Sequence, residues 1–230
     1  NRGCPAKGAP GAVCGSGLMR DPHLAAAIMH SVKSAVSVPV TLKMRLGWDE
    51  NSLNAAEFGR IAEDTGLSML AVHGRTRCQM YQGAADWKQI ASVVDAVSIP
   101  VIANGDIRCP DTALQAIAAS GAAGVMVGRG AQGRPWLLAQ IGDVLAGRKM
   151  RPIPTIRERH ALMRLHLDDM IAHYGPAAMR LARKHIAWYA HGLPGAAELR
   201  DCANNSTDAS RVFAAVDQFF EDLYQRAEAA

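Results

Sequence analysis

No apolar run in the sequence reaches the roughly 18 residues that a membrane-spanning helix needs. No signal peptide opens it either. The first residues, Asn1-Arg2-Gly3-Cys4, contain no initiator methionine, so the numbering is expected to start inside a longer product. Cysteine is sparse: Cys4, Cys14, Cys78, Cys109 and Cys202 form an odd set without metal-type spacing. Paired disulfides are not expected, and a reducing cytoplasm suits these thiols. The histidines beyond Pro154 (His160, His166, His173, His185, His191) contain no H-E-x-x-H pair, so no metal site is expected. Charge of one sign is also scarce. The net charge is +4, and residues 155–230 hold slightly more acidic than basic groups. A uniformly basic nucleic-acid-binding domain is therefore excluded, and any RNA surface must be a local patch.

What is present is 230 residues, 49% hydrophobic and 20% charged, enough for one large domain or one plus a smaller one. Ala35-Val36-Ser37-Val38-Pro39-Val40 recurs as Ala96-Val97-Ser98-Ile99-Pro100-Val101, a separation of two βα units of about 30 residues each. Four short apolar runs, Val38–Met44, Leu67–Val72, Ile99–Ala103 and Gly124–Val127, predict buried parallel strands. Helix signals lie between them. Asp21-Pro22 reads as an N-cap with proline at the first helical position, Asn54 with Glu57 as a capping box, and Gly66 and Gly121 as stops. Regular strand–helix alternation means an α/β fold with a parallel sheet.

After Pro154 the period changes. Residues 155–230 show no strand, and helical periodicity runs through Ile156–Tyr174, Ala177–Tyr189 and Ala209–Leu223. The expected division is 1–154 for the α/β part and 155–230 for an all-helical domain. Four strands do not close a barrel of eight, so the first part is either an open sheet or a barrel whose first half is absent.

Polar residues cluster just past the strand ends: Lys43 and Arg45, His73 and Arg75, Asn104 and Asp106, Gly128 and Arg129. In open α/β sheets and in barrels alike, that edge binds ligands. Asn104-Gly105-Asp106 and Gly128-Arg129-Gly130 offer unobstructed backbone N–H groups with a cation nearby, the makings of a phosphate site. Gly128 to Gly133 also satisfies G-x-G-x-x-G. A dinucleotide fold would need a further strand and an acid about 20 residues on, whereas Pro135-Trp136 opens a helix and Asp143 arrives too early.

Four segments carry a family resemblance: Asn1-Arg2-Gly3-Cys4-Pro5-Ala6-Lys7, Leu42-Lys43-Met44-Arg45-Leu46-Gly47-Trp48, Val72-His73-Gly74-Arg75-Thr76 and Asn104-Gly105-Asp106. Together with Arg183-Lys184-His185, Trp188-Tyr189 and Gly192-Leu193-Pro194-Gly195-Ala196, the chain resembles the tRNA-dihydrouridine synthases, particularly the bacterial B type. The resemblance implies a (β/α)8 TIM barrel, here incomplete with about four C-terminal βα units, followed by an all-helical tRNA-recognition domain. It implies FMN as cofactor, NADPH as reductant and a uridine of the tRNA D-loop as substrate. By the same resemblance Cys4 is the catalytic acid and Asn1 lies near the target base. Lys43 and His73 meet the flavin ring, while Asn104, Gly105, Asp106, Gly128 and Arg129 hold the ribityl phosphate. Arg45 and Arg75 are expected beside the base or its phosphates, and Arg183 and Lys184 on the RNA backbone. The chemistry is consistent: saturating the uracil C5=C6 bond needs a hydride at C6 and a proton at C5. A thiol, with a reference pKa of ~8.5, is mostly protonated at neutral pH and can give that proton. Two alternatives stay open, another FMN-dependent barrel oxidoreductase acting on a small molecule and a non-catalytic RNA-binding protein.

Overall fold

The computed structural model describes residues 14–228. Asn1 and Cys4 lie outside the described residues. The chain forms two compact units, Asn1–Gly130 and Ala131–Ala230.

The first unit alternates helix and strand: α1 (Pro22–Ala35), β1 (Thr41–Arg45), α2 (Ala55–Asp64), β2 (Met69–His73), α3 (Trp87–Val94), β3 (Val101–Asn104), α4 (Pro110–Ser120) and β4 (Gly124–Met126). The strands form one parallel sheet in the order β1-β2-β3-β4. This is the expected α/β class. Register places the strand ends in a row: Arg45 opposite His73, His73 opposite Asn104, and Asn104 opposite Met126. Polar side chains spaced far apart in sequence therefore meet along one edge. Leu42, Met44, Leu70, Val72 and Val101 from the strands are buried with Phe58 of α2 and Ile90 of α3. The strand residues named are register partners two apart, so they lie on one face of the sheet, the face covered by helices.

The strands begin two or three residues later than the apolar runs suggest, except β4. Pro39 and Pro100 offer no N–H to a ladder, and Val38 is 61% exposed. At β2 the delay has another cause. The Leu67 N–H closes the end of α2 on Ala62 O at 3.0 Å while Gly66 adopts φ 82°, so Leu67 belongs to the helix stop. Gly121, at φ 66°, ends α4 as expected.

Helix starts were partly legible. The Asp21 carboxylate accepts from Leu24 N at 2.9 Å, capping α1 with Pro22 in its first turn. The capping box expected at Asn54 and Glu57 does not form. Asn54 precedes α2 without a side-chain cap, because its Nδ2 donates instead to Met19 O at 2.8 Å. Complete boxes lie at Cys109 and Thr112, starting α4, and at Thr155 and Glu158, just ahead of the helix Ile156–Tyr174.

The second unit holds α5 (Trp136–Leu145), α6 (Ile156–Tyr174), α7 (Ala178–Ala190), α8 (Ala196–Asn205) and α9 (Ala209–Glu228). Met163 and Leu167 of α6 share a buried cluster with Ile186 of α7, Leu199 of α8 and Phe220 of α9. Periodicity did not mark helix α8, because Ala196–Asn205 carries few large apolar residues. No strand follows Gly133 among the described residues, as the rejected dinucleotide pattern would have needed. Asp143 accepts from Arg151 Nε at 2.7 Å and Arg148 Nη2 at 3.2 Å, fastening the segment after α5.

Candidate active site

The carboxyl edge of the sheet opens into a cavity of about 370 Å³. Lys43, Arg45, His73 and Asn104 line it from the ends of β1, β2 and β3, and the loop Met126–Gly130 closes one side. Lys43 Nζ donates to Asn104 Oδ1 at 2.9 Å, and Asn104 Nδ2 donates to Met126 O at 2.8 Å. One asparagine therefore fixes the lysine and ties β3 to the end of β4. Burial, helped by the Arg45 charge, lowers the Lys43 pKa from its ordinary value.

His73 is buried beside three cations. Desolvation, then the charges of Arg45, Lys43 and Arg75, lower its pKa to about 3, so the imidazole is neutral at physiological pH. Arg75 Nη1 lies 3.4 Å from His73 Nε2. A guanidinium can only donate, so this contact favours the tautomer with the proton on Nδ1.

The two glycine turns differ in kind. Gly105 has φ 111°, and a Cβ there would meet the His73 ring at 2.7 Å and Ala85 Cβ at 2.8 Å. Asp106 follows at φ 54°, a left-handed conformation uncommon outside glycine. Trp87 Nε1 holds the turn by donating to Gly105 O at 2.9 Å. At Gly128 nothing stands within 4 Å of where a Cβ would be. The chain itself does not demand glycine there, but a bare backbone lets a ligand approach closely. Arg129, with 57% of its side chain exposed, stands beside this turn.

Arg45 and Arg75, expected near the base or its phosphates, are both 1% exposed. Arg45 Nη1 donates to Thr76 O at 2.6 Å and Met80 O at 2.9 Å. Arg75 Nε donates to Gln82 O at 3.1 Å, and its Nη2 donates to Gly83 O and Asp106 Oδ2, each at 2.6 Å. Together they hold down the loop between β2 and α3, and Asp86 N closes the loop's base on Gly74 O at 2.6 Å. Desolvation raises the Asp106 pKa, but bonds from Arg75 and the Ala85 N–H outweigh it and leave the carboxyl below its ordinary value.

Sequence reasoning missed Tyr81, which this loop presents at the cavity wall. It is 54% exposed, with the Arg129 guanidinium carbon 4.5 Å from its ring. No periodicity marks a loop tip, so the sequence carried no signal for it. In the other unit, Lys184 is exposed with Nζ 5.8 Å from the Trp188 ring. Arg183 is half-buried, and its Nε has no partner. Tyr189 packs against the helical core with its hydroxyl 3.4 Å from His166 Nδ1.

Fold and cavity define an α/β protein with a cation-lined cavity at the carboxyl edge of a parallel sheet. The profile described as Dihydrouridine synthase (Dus) matches residues 1–227. A "Probable tRNA-dihydrouridine synthase" of Rickettsia prowazekii is 48% identical over 96% of this chain and 68% of its own length. One of Rhodobacter capsulatus is 48% identical over the same shares, and a "tRNA-dihydrouridine synthase B" of Xanthomonas axonopodis is 44% identical over 97% and 68%. A mandelate oxidase structure matches with 16% identity and a TM-score of 0.30, covering 85% of this chain and 65% of that one. The chain belongs to the dihydrouridine synthase family, whose members are flavin-dependent oxidoreductases. It spans about two thirds of the length of these curated relatives.

Proposed function

We propose that this protein reduces a uridine in the D-loop of tRNA to 5,6-dihydrouridine, with FMN as cofactor and NADPH as reductant. The observation that carries the reading is the convergence of Lys43, His73, Asn104, Gly128 and Arg129 on one cavity in a chain of this family. FMN fits these residues. The cavity is in the size range of small-molecule sites, its cations suit a phosphate, and Gly128 leaves its backbone open to one. When bound, the reduced flavin supplies the hydride that enters C6 of uracil.

The chain's own groups do the rest. Lys43, held by Asn104, brings a positive charge to the cavity wall and stabilises negative charge there. His73, neutral, offers a hydrogen bond without adding a second cation. Gly105, Asp106, Gly128 and Arg129 take the phosphate end. Cys4 Sγ–H gives its proton to C5, and Asn1 orients the base. Because a stacked uridine cannot enter such a cavity, the base must be turned outward. Arg183 and Lys184 grip the RNA backbone from α7. In this reading residues 1–154 belong to a TIM barrel and 155–230 form the tRNA-recognition domain. A cytoplasmic setting suits the substrate and the free thiols Cys14, Cys78, Cys109 and Cys202.

The test is mass mapping of dihydrouridine in tRNA from cells that lack the gene and carry either the wild-type gene or Cys4→Ala. Wild type should restore the modification at one D-loop site. Cys4→Ala should retain flavin and its reduction by NADPH while losing the modification. Normal dihydrouridine in the Cys4→Ala strain would remove the thiol from the mechanism, and no change on restoring wild type would remove tRNA as the substrate.

A further inference from the structure

Two arginines share one indole outside the cavity. The Arg20 guanidinium carbon lies 4.9 Å from the Trp48 ring centroid and that of Arg77 lies 4.8 Å from it. The three residues come from separate places: a short 3-10 helix (Gly15–Arg20), the loop after β1 and the loop after β2. The two loops are stitched together, Arg77 N donating to Gly47 O at 3.0 Å and Cys78 N to Trp48 O at 2.9 Å. Gly47 also bridges Leu53, and a Cβ on it would collide with the Ser52 carbonyl. The indole is thus mounted on a braced rim.

Neither guanidinium forms an ion pair with a carboxylate among the described residues. Arg20 is exposed and Arg77 half-buried. A guanidinium packed on an aromatic ring keeps its N–H edge in plane, where it can bind a phosphate with two parallel hydrogen bonds. The patch also continues the catalytic edge. Arg45, at the end of β1, lines the cavity and bonds Thr76 O, one residue before Arg77. A small anionic substrate filling the cavity would have no use for paired cations outside it. A strand with one nucleotide in the cavity and its neighbours on the rim would.

We propose that Arg20, Trp48 and Arg77 form a phosphate grip for the RNA strand flanking the reacting uridine. The proposal rests on tRNA being the substrate. It assigns an RNA-binding role to the α/β unit itself, apart from the basic helix α7.

The test is equilibrium binding of unmodified tRNA to the full chain over a salt series, with Arg20→Ala, Arg77→Ala, the double variant, and Arg60→Ala, exposed on α2, as a charge-matched control. Removing one phosphate-binding cation should flatten the plot of log affinity against log salt by about 0.7–0.9. The double variant should flatten it by about twice that and bind roughly tenfold or more weakly at low salt. Arg60→Ala should keep the wild-type slope. Trp48→Phe, which preserves a stacking face, should bind better than Trp48→Ala. A double variant with the wild-type slope and affinity overturns the grip while leaving tRNA as substrate. Wild-type chain that binds tRNA no better than an unrelated polyanion overturns both. Circular dichroism of each variant separates weakened binding from loss of fold.

Discussion

Replacing Arg75 by methionine removes a buried cation whose bonds span three parts of the site. The residue is 1% exposed, and its side chain donates to Gln82 O, Gly83 O and both oxygens of Asp106. The variant leaves Asp106 without its main partner and two loop carbonyls without donors. Breaking a buried ion pair from one side costs about 3–5 kcal/mol, and each stranded carbonyl adds about 1 kcal/mol where water cannot reach it. Asp106 keeps some solvent and the nearby Arg108, so a total of about 3–5 kcal/mol is expected. In a chain of this size that lowers Tm by roughly 6–20 °C. Urea unfolding should show a lower midpoint at unchanged slope. The double variant Arg75→Met with Asp106→Asn should be less destabilised than the sum of the singles by about 1–3 kcal/mol, because it leaves no unpaired charge. Strict additivity, or Arg75→Met within 1 kcal/mol of wild type, would show that the guanidinium does not clamp this loop.

Acid should weaken the fold through His73. The unfolded imidazole takes a proton near its ordinary pKa of 6.5, whereas the folded one resists down to about 3. Stability is therefore lost as pH falls below 6.5, by at most about 1.4 kcal/mol per pH unit and less after solvent screening. Urea midpoints of His73→Asn should fall less steeply between roughly pH 7 and pH 5 than those of wild type, and parallel lines would contradict this. Bonds from Arg151 hold the Asp143 carboxyl below its ordinary value, so that contribution persists above the carboxylate range and fades as pH falls through the depressed value. Arg151→Ala should move the fading to higher pH, as read by thermal melts. Gly105→Ala, which brings a Cβ onto the His73 ring at a φ of 111°, should cost about 1–3 kcal/mol and reduce flavin retention. Asn104→Ala frees Lys43 and should weaken FMN binding about tenfold with the fold kept, measured by fluorescence titration.

The alternation of apolar runs with capped helices determined the α/β class, because burial of a parallel sheet imposes that pattern on any sequence that folds so. Polar residue types likewise marked the strand ends, and register sets Arg45, His73, Asn104 and Met126 in one row. The Asn54 box failed for a tertiary reason: its side chain found Met19 O, 35 residues away, in place of its own helix. What arginines do is also decided only in three dimensions. Arg45 and Arg75 read as neighbours of the base or its phosphates, and the fold shows in addition that both are buried, donating to loop carbonyls that need donors. Tyr81 and the Arg20–Trp48–Arg77 cluster were illegible for the complementary reason. They depend on the paths of irregular loops, which follow long-range hydrogen bonds and leave no period in the sequence.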